Sequence, residues 1–373
     1  MLFCGSILAQ ATATIDGNLE RLRAIEIIEK RYNEWASDIP TYQRLVEREC
    51  GSFPEGQLYA YFLPAMSYAH LAKATPSNSK AYLANSRMLI EQGIRVAELI
   101  LEVDDLSDLE NYRHHATTLS TALLAIALYE KAGGPVDDFG KEKNVLIAVL
   151  KHALWQSNGG PIQSYPSYSW NFDTVASLTA LRLAKPKDKE ILEYWGKHLK
   201  WIENYGTDES TGLPYSVRGF GYSNEPKPPR GCDLFFRISL IAYVDQTEAQ
   251  RLFKISRKTL ERTVGSLYGF AEYPAGVRGA QDNDSGPIIM DLGLSATGLA
   301  IGAARATGNS DVAQHLCRQF AMRDVLFKLA NTASNSKLPG AWFWSQVGIN
   351  DDYFTGFLFG DACLFYSITW EPL

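Results

Sequence analysis

SNGGPIQSYPSYSW (residues 157–170) runs directly into NFDTVASLTALRLA (171–184). The first stretch reads as a loop, broken by Gly159-Gly160-Pro161 and Pro166 and closing on the aromatics Tyr165, Tyr168 and Trp170. The second reads as a helix of mainly small and apolar residues with an acid, Asp173, in its first turn. A helix apolar nearly all round must be wrapped on every side. The same pairing of polar, aromatic loop and apolar helix recurs six times, with helices opening near Gly56, Tyr112, Trp170, Gly231, Pro287 and Tyr353, a period of roughly 60 residues.

Between these inner helices lies a second series, longer, more charged and amphipathic. The first spans 17–36, with Leu19, Leu22, Ile25, Ile28 and Tyr32 at helical spacing. The outer series continues over 79–103, 141–156, 187–205, 247–266 and 311–331. The inner series covers 57–74, 112–131, 171–184, 232–244, 288–307 and 353–369. Twelve helices alternating in this way predict an all-α (α/α)6 toroid, a closed ring of six helical hairpins. Residues 17–373 are expected to form one domain and 1–16 an N-terminal extension. The loops 206–230, 268–286 and 332–352 are long enough to be functional, with short strand pairs expected around 212–222 and 270–277. Gly293, Gly298, Gly302, Gly356 and Gly360 on the last two inner helices fit close packing around a narrow axis.

Composition excludes several classes. The 373 residues carry 36 basic and 42 acidic side chains, a net charge of -6, with no Lys/Arg-rich run to hold nucleic acid. No apolar stretch reaches membrane-spanning length. No phosphate loop, dinucleotide fingerprint or nucleophile elbow occurs at a strand-to-helix junction, so no cofactor is expected. The five cysteines are scattered and read as mainly reduced. Residues 2–8 are apolar and precede Ala9-Gln10-Ala11, a small-x-small pattern; they read either as the remnant of an export signal or as a plain frayed terminus, and the first reading, an exported or periplasmic location, is favoured over a cytoplasmic one.

In architecture, nearly the whole chain resembles the six-hairpin toroid superfamily, which includes many glycoside hydrolases and polysaccharide lyases. The entries Trp170-Asn171-Phe172-Asp173-Thr174 and Asp282-Asn283-Asp284-Ser285-Gly286-Pro287 carry the likeness. It implies a cleft where the inner helices begin and a carbohydrate ligand, with oligomeric state left open. It assigns no catalytic residue, because no single family's motif is matched.

The residues themselves supply candidates. Asp173, Asp233 (after Pro229-Arg230-Gly231) and Glu55 (after Phe53-Pro54) each enter an inner helix, and Asp284 precedes a fifth. Glycosidic cleavage needs two carboxylates, ~5 Å apart for retention or ~6.5–9.5 Å for inversion, and acids on different entries could supply either. A helix N-terminus lowers a carboxylate's pKa, which suits Asp173 as the base, with Asp284 or Asp233 the proton donor. The plain alternative is that each acid merely caps its helix. Asp282-Asn283-Asp284 lacks the rest of a calcium loop, so no metal is assigned. His114, beside His115, is a candidate base. Tyr168, Trp170, Tyr222, Trp344 and Tyr353 form a candidate ring-stacking surface. Asp282 would bind hydroxyls, and Arg230 would bind an acidic sugar or pair with Asp233 or Asp284. Two other readings stay open. One is a lyase or dehydratase acting on a polysaccharide or terpenoid through His114, Tyr168 or Tyr222, with Cys232 able to assist a dehydration. The other is a toroid that binds a ligand without catalysis. Replacing Asp173 or Asp284 by Asn is expected to abolish turnover with little change in thermal midpoint.

Overall fold

Six inner helices carry the architecture: α3 (Pro54–Ala74), α5 (Ala116–Lys131), α7 (Asn171–Ala184), α9 (Gly231–Ile241), α11 (Leu294–Ala306) and α13 (Leu358–Thr369). The computed structural model describes residues 15–111, 114–166, 168–217, 226–322 and 352–373. In it α3 packs on α5, α5 on α7, α7 on α9, α9 on α11 and α11 on α13, and α13 returns to α3. The ring is closed. The wrapping is complete in α5, where Ala116 to Tyr129 are all inaccessible, and loosest at the start of α11, where Leu294 is exposed. No helix among the described residues is long and apolar enough to cross a membrane.

The outer layer is α1 (Gly17–Ala36), α4 (Ser79–Leu101), α6 (Gly140–Ser157), α8 (Lys189–Trp201), α10 (Gln246–Leu260) and α12 (Ser310–Arg318). Side chains satisfy the amides that open several of them: Asp16 accepts from Asn18, Asp188 from Glu190 and Ile191, and Asp245 from Glu248. α12 returns to pack on α1, so the outer layer closes where the inner one does.

The structure departs from the sequence reading where local chemistry outweighed the apolar pattern. An additional helix, α2 (Ile39–Cys50), lies between α1 and α3. Asp38 caps it, Pro40 occupies its first turn, and Tyr42, Val46 and Cys50 form its buried stripe. α5 begins at Ala116 because His114 takes a left-handed conformation (φ 59°). Residues 288–293, expected to be helical, form a hairpin of β3 (Ile288–Ile289) and β4 (Leu292–Gly293). Met290 and Asp291 turn it with φ of 50° and 68°, the geometry a two-residue hairpin requires. The strand pair expected near 270–277 lies earlier, as β1 (Glu261–Val264) and β2 (Leu267–Phe270), replacing the predicted last turns of α10. Around 212–222 the described residues make only the bridges Thr207↔Pro214 and Val217↔Lys227. α12 ends at Arg318, continuing as a 3-10 turn to Met322; the rest of the predicted 311–331 helix lies outside the described residues. α13 begins at Leu358, five residues later than expected.

At the start of α9, packing requires glycine. A Cβ on Gly231 would sit 2.5 Å from the Ala271 carbonyl oxygen and 2.7 Å from the Ala296 Cβ, so α9 starts in direct contact with β2's exit and with α11.

Candidate active site

A single cleft is lined by Glu55, Thr117, Asp173, Cys232, Asp233 and Phe359, which belong to the first turns of α3, α5, α7, α9 and α13. Five inner helices therefore begin at the same end of the ring. Tyr59, Tyr165, Trp170, Phe172, Arg230, Phe236, Asp284, Leu299 and Cys363 complete the lining. Four sequence-predicted acids, Glu55, Asp173, Asp233 and Asp284, thus meet in one place.

Their surroundings differ. Asp173 is 2% exposed, and one carboxylate oxygen has no hydrogen-bond partner. Burial pushes its pKa up to about 7; the Ser164 and Thr117 hydroxyls pull the other way, and the Glu55 and Asp233 carboxylates add to the rise. The helix terminus was expected to lower this pKa, and desolvation outweighs it. Asp284 is also pushed up to about 7, first by burial and then by the Asp282 carboxylate; Arg230 opposes, while Glu55 and Glu272 reinforce. Asp233 is held by Arg237 one turn on, at 2.5 and 2.7 Å from Nη2 and 3.1 Å from Nε. So engaged, both its oxygens accept from one guanidinium. Glu55 accepts a hydrogen bond from the Tyr165 phenol.

The reading of Asp284 as a helix cap fails, because β3 and β4 separate it from α11. The capping-type turn belongs to Asp282, whose carboxylate accepts from the Ser285 amide at 2.9 Å while Ser285 Oγ accepts from the Asp282 amide at 2.9 Å. Arg230 does not pair with Asp233 or Asp284. Its Nη1 and Nη2 donate to Asp282 at 2.8 and 2.7 Å and its Nε to Glu272 at 2.8 Å, which leaves it no fork for an acidic sugar.

Other expectations are redistributed. His114 is exposed and does not line the cleft, whereas His115 lies edge-on to Tyr165 with ring centres 6.4 Å apart. Tyr353 is 2% exposed and packs beside Trp35 in the core, so it is closed to a substrate. Tyr168 lies outside the lining, next to Trp170, with the Lys227 ammonium 5.1 Å from its ring centre. Trp170 lines the cleft, but Lys227 and Arg230 lie over its ring at 5.5 and 5.8 Å. Tyr222 and Trp344 lie outside the described residues. Cys232 is buried, its thiol donating to Glu272 at 2.9 Å. Burial raises its pKa well above the usual thiol value, which leaves no thiolate to assist a dehydration.

Several site residues escaped the sequence reading. Phe172, Phe236, Tyr59 and Phe359 form a continuous aromatic wall, with centroid spacings of 4.9, 6.1 and 6.0 Å along it. Their sequence context is that of core residues, and only ring geometry brings them to the mouth. Tyr165 lines the cleft while Tyr168 packs beside Trp170 outside it, the chain reversing between them with a bridge joining the two. Glu272, 1% exposed, was legible only as a lone acid in the apolar run GFAEYPAG (269–276).

No family model and no curated protein matches this chain. Among solved structures it is similar to an inactive variant, with two aspartates replaced by alanine, of an α-1,6-mannanase of Salegentibacter sp. HEL1_6 in complex with α-1,6-mannotetrose. The TM-score is 0.49 and the identity 12%, over 83% of this chain and 88% of that chain. At that identity, residue roles do not transfer.

Proposed function

We propose that the chain is a glycoside hydrolase whose two working carboxylates are Asp173 and Asp284. One observation carries the reading: two acids pushed up to about 7 share one cleft with an aromatic wall. A pKa near the working pH is what general acid–base transfer needs, and environments that differ separate the two roles. Asp173 has the Ser164 and Thr117 hydroxyls, which favour its anion, and acts as base. Asp284 has no hydrogen-bond donor among the described residues, and the Asp282, Glu55 and Glu272 carboxylates favour its proton against the opposing Arg230 guanidinium; it acts as acid. Phe172, Phe236, Tyr59 and Phe359 offer ring faces to the C–H faces of a sugar.

The substrate is an uncharged saccharide. Among the described lining residues, the only cation is Arg230, already held by Asp282 and Glu272; of the four acids, Asp233 is paired with Arg237 and Asp284 holds the proton, which leaves Glu55 and the base Asp173 as the negative charges. An anionic sugar would enter a cleft of like charge. The test is a panel of defined neutral and uronic oligosaccharides, read for reducing ends and for ultraviolet absorbance. Reducing ends from neutral members, lost in Asp173→Asn and Asp284→Asn, support the reading. An unsaturated product would assign the cleft to elimination, and full activity in both variants would remove the assignment.

A further inference from the structure

Asp284 sits on a loop outside the regular elements of the ring, between β2 and β3. Its precision must come from what ties that loop down. The backbone ties near Asp284 come from the start of α11, where the Leu294 amide donates to the Pro287 carbonyl at 3.1 Å and the Ser295 amide to the Ser285 carbonyl at 3.2 Å; the Gly286 amide bond to the Asp282 carbonyl, at 3.1 Å, stays within the loop. The charged tie is Asp282, two residues before Asp284, gripped by both Nη atoms of Arg230. Arg230 is itself fixed. Its Nε donates to Glu272, whose second oxygen accepts from the Cys232 amide at 3.1 Å, and its guanidinium lies 5.8 Å from the ring centre of Trp170 and 5.9 Å from that of Tyr273. The Glu272 side chain is 0% exposed, Arg230 6% and Asp282 47%. The chain of contacts therefore runs from a buried anchor at the start of α9 to a partly exposed carboxylate on the loop.

We infer that Arg230, anchored by Glu272, is a positioning residue that latches the Asp284 loop to the ring through Asp282. This rests on the proposed role of Asp284, and it explains why Arg230 lines the cleft with both ends of its fork on Asp282 and its Nε on Glu272. A planar fork meeting a carboxylate at two points fixes orientation as well as distance, which a lysine ammonium cannot do. Misplacing a reacting group by about 1 Å can cost about a hundredfold in rate.

The test uses Arg230→Lys and Asp282→Asn in the full chain, with two readouts. Asp282→Asn keeps an oxygen that can accept from Ser285, so it preserves the turn while removing the ion pair, and its exposed position makes it safe for folding. Amide hydrogen exchange over 281–287 is expected to speed at least fivefold in both variants while 232–241 in α9 keeps its protection. On the oligosaccharide that the wild type cleaves, kcat is expected to fall about tenfold or more with KM within about threefold. Exchange at the wild-type rate in both variants overturns the latch, as does faster exchange with kcat unchanged. If the wild type cleaves no oligosaccharide, the proposed function fails while the exchange data still decide whether the latch exists.

Discussion

Asp173 and Asp284 show how far a rim acid can be read from sequence. That they meet at one mouth was legible; that Asp173 opens an inner helix while Asp284 sits on a loop ahead of a hairpin was not, because 287–293 reads as helix. Their protonation was not, because it depends on how completely neighbouring helices exclude water, and sequence shows only the local helix terminus. General acid–base groups typically contribute 10²–10⁴-fold, so Asp173→Asn and Asp284→Asn should each lower kcat by at least about 100-fold, measured by reducing-end release. With a base and an acid both pushed up to about 7, the rate should follow a narrow bell centred near neutrality. The same shift acts on stability. A carboxylate whose folded pKa is raised binds more protons folded than unfolded, so its contribution is fully present below the unfolded value near 3.8 and is lost as pH rises through about 7. Each unit is worth about 1.4 kcal/mol, so ionised Asp173 should cost a few kcal/mol at pH 8. Asp173→Asn should therefore melt above the wild type at pH 8, with the gap shrinking towards pH 4. The expectation of an unchanged midpoint is revised accordingly, and a gap independent of pH would contradict the buried-acid account.

At the level of elements, the alternation of apolar and amphipathic helices was readable because each inner helix is wrapped and each outer one half-wet. What failed were segments whose apolar residues serve another purpose. PIIMDLG (287–293) reads as helix by hydrophobicity, yet its two central residues turn a hairpin. Tyr353 reads as part of a helix and as a stacking surface, yet it fills the core beside Trp35. α2 had its signals in Asp38, Pro40 and the Tyr42–Val46–Cys50 stripe, but its twelve residues did not fit the twelve-helix count. Gly231 offers a direct test of element packing. Gly231→Ala should destabilise the fold by about 1–3 kcal/mol, the usual cost of overpacking, measured by urea denaturation. Stability equal to the wild type would mean that α9 and α11 are not as close as described.

For the whole molecule, closure is the property that creates the site. α13 completes the ring by packing on α3 and α11, and its Phe365 joins Tyr32 and Tyr68 at ring-centre distances of 5.6 Å. Phe365→Ala should cost about 3–5 kcal/mol and lower the melting temperature without shifting the pH optimum of the remaining activity, since it lies away from the acids. Sequence carried the six-fold repeat but not the arrangement at its mouth, where Tyr165 and not Tyr168 lines the cleft, and where Arg230 holds Asp282 and Glu272. Those depend on which way a side chain points once the ring has closed. The most direct measurement is reducing-end release from neutral oligosaccharides by the wild type, Asp173→Asn and Asp284→Asn at pH 7. The account predicts cleavage by the wild type and a loss of at least about 100-fold in each folded variant; undiminished cleavage by either variant would contradict it.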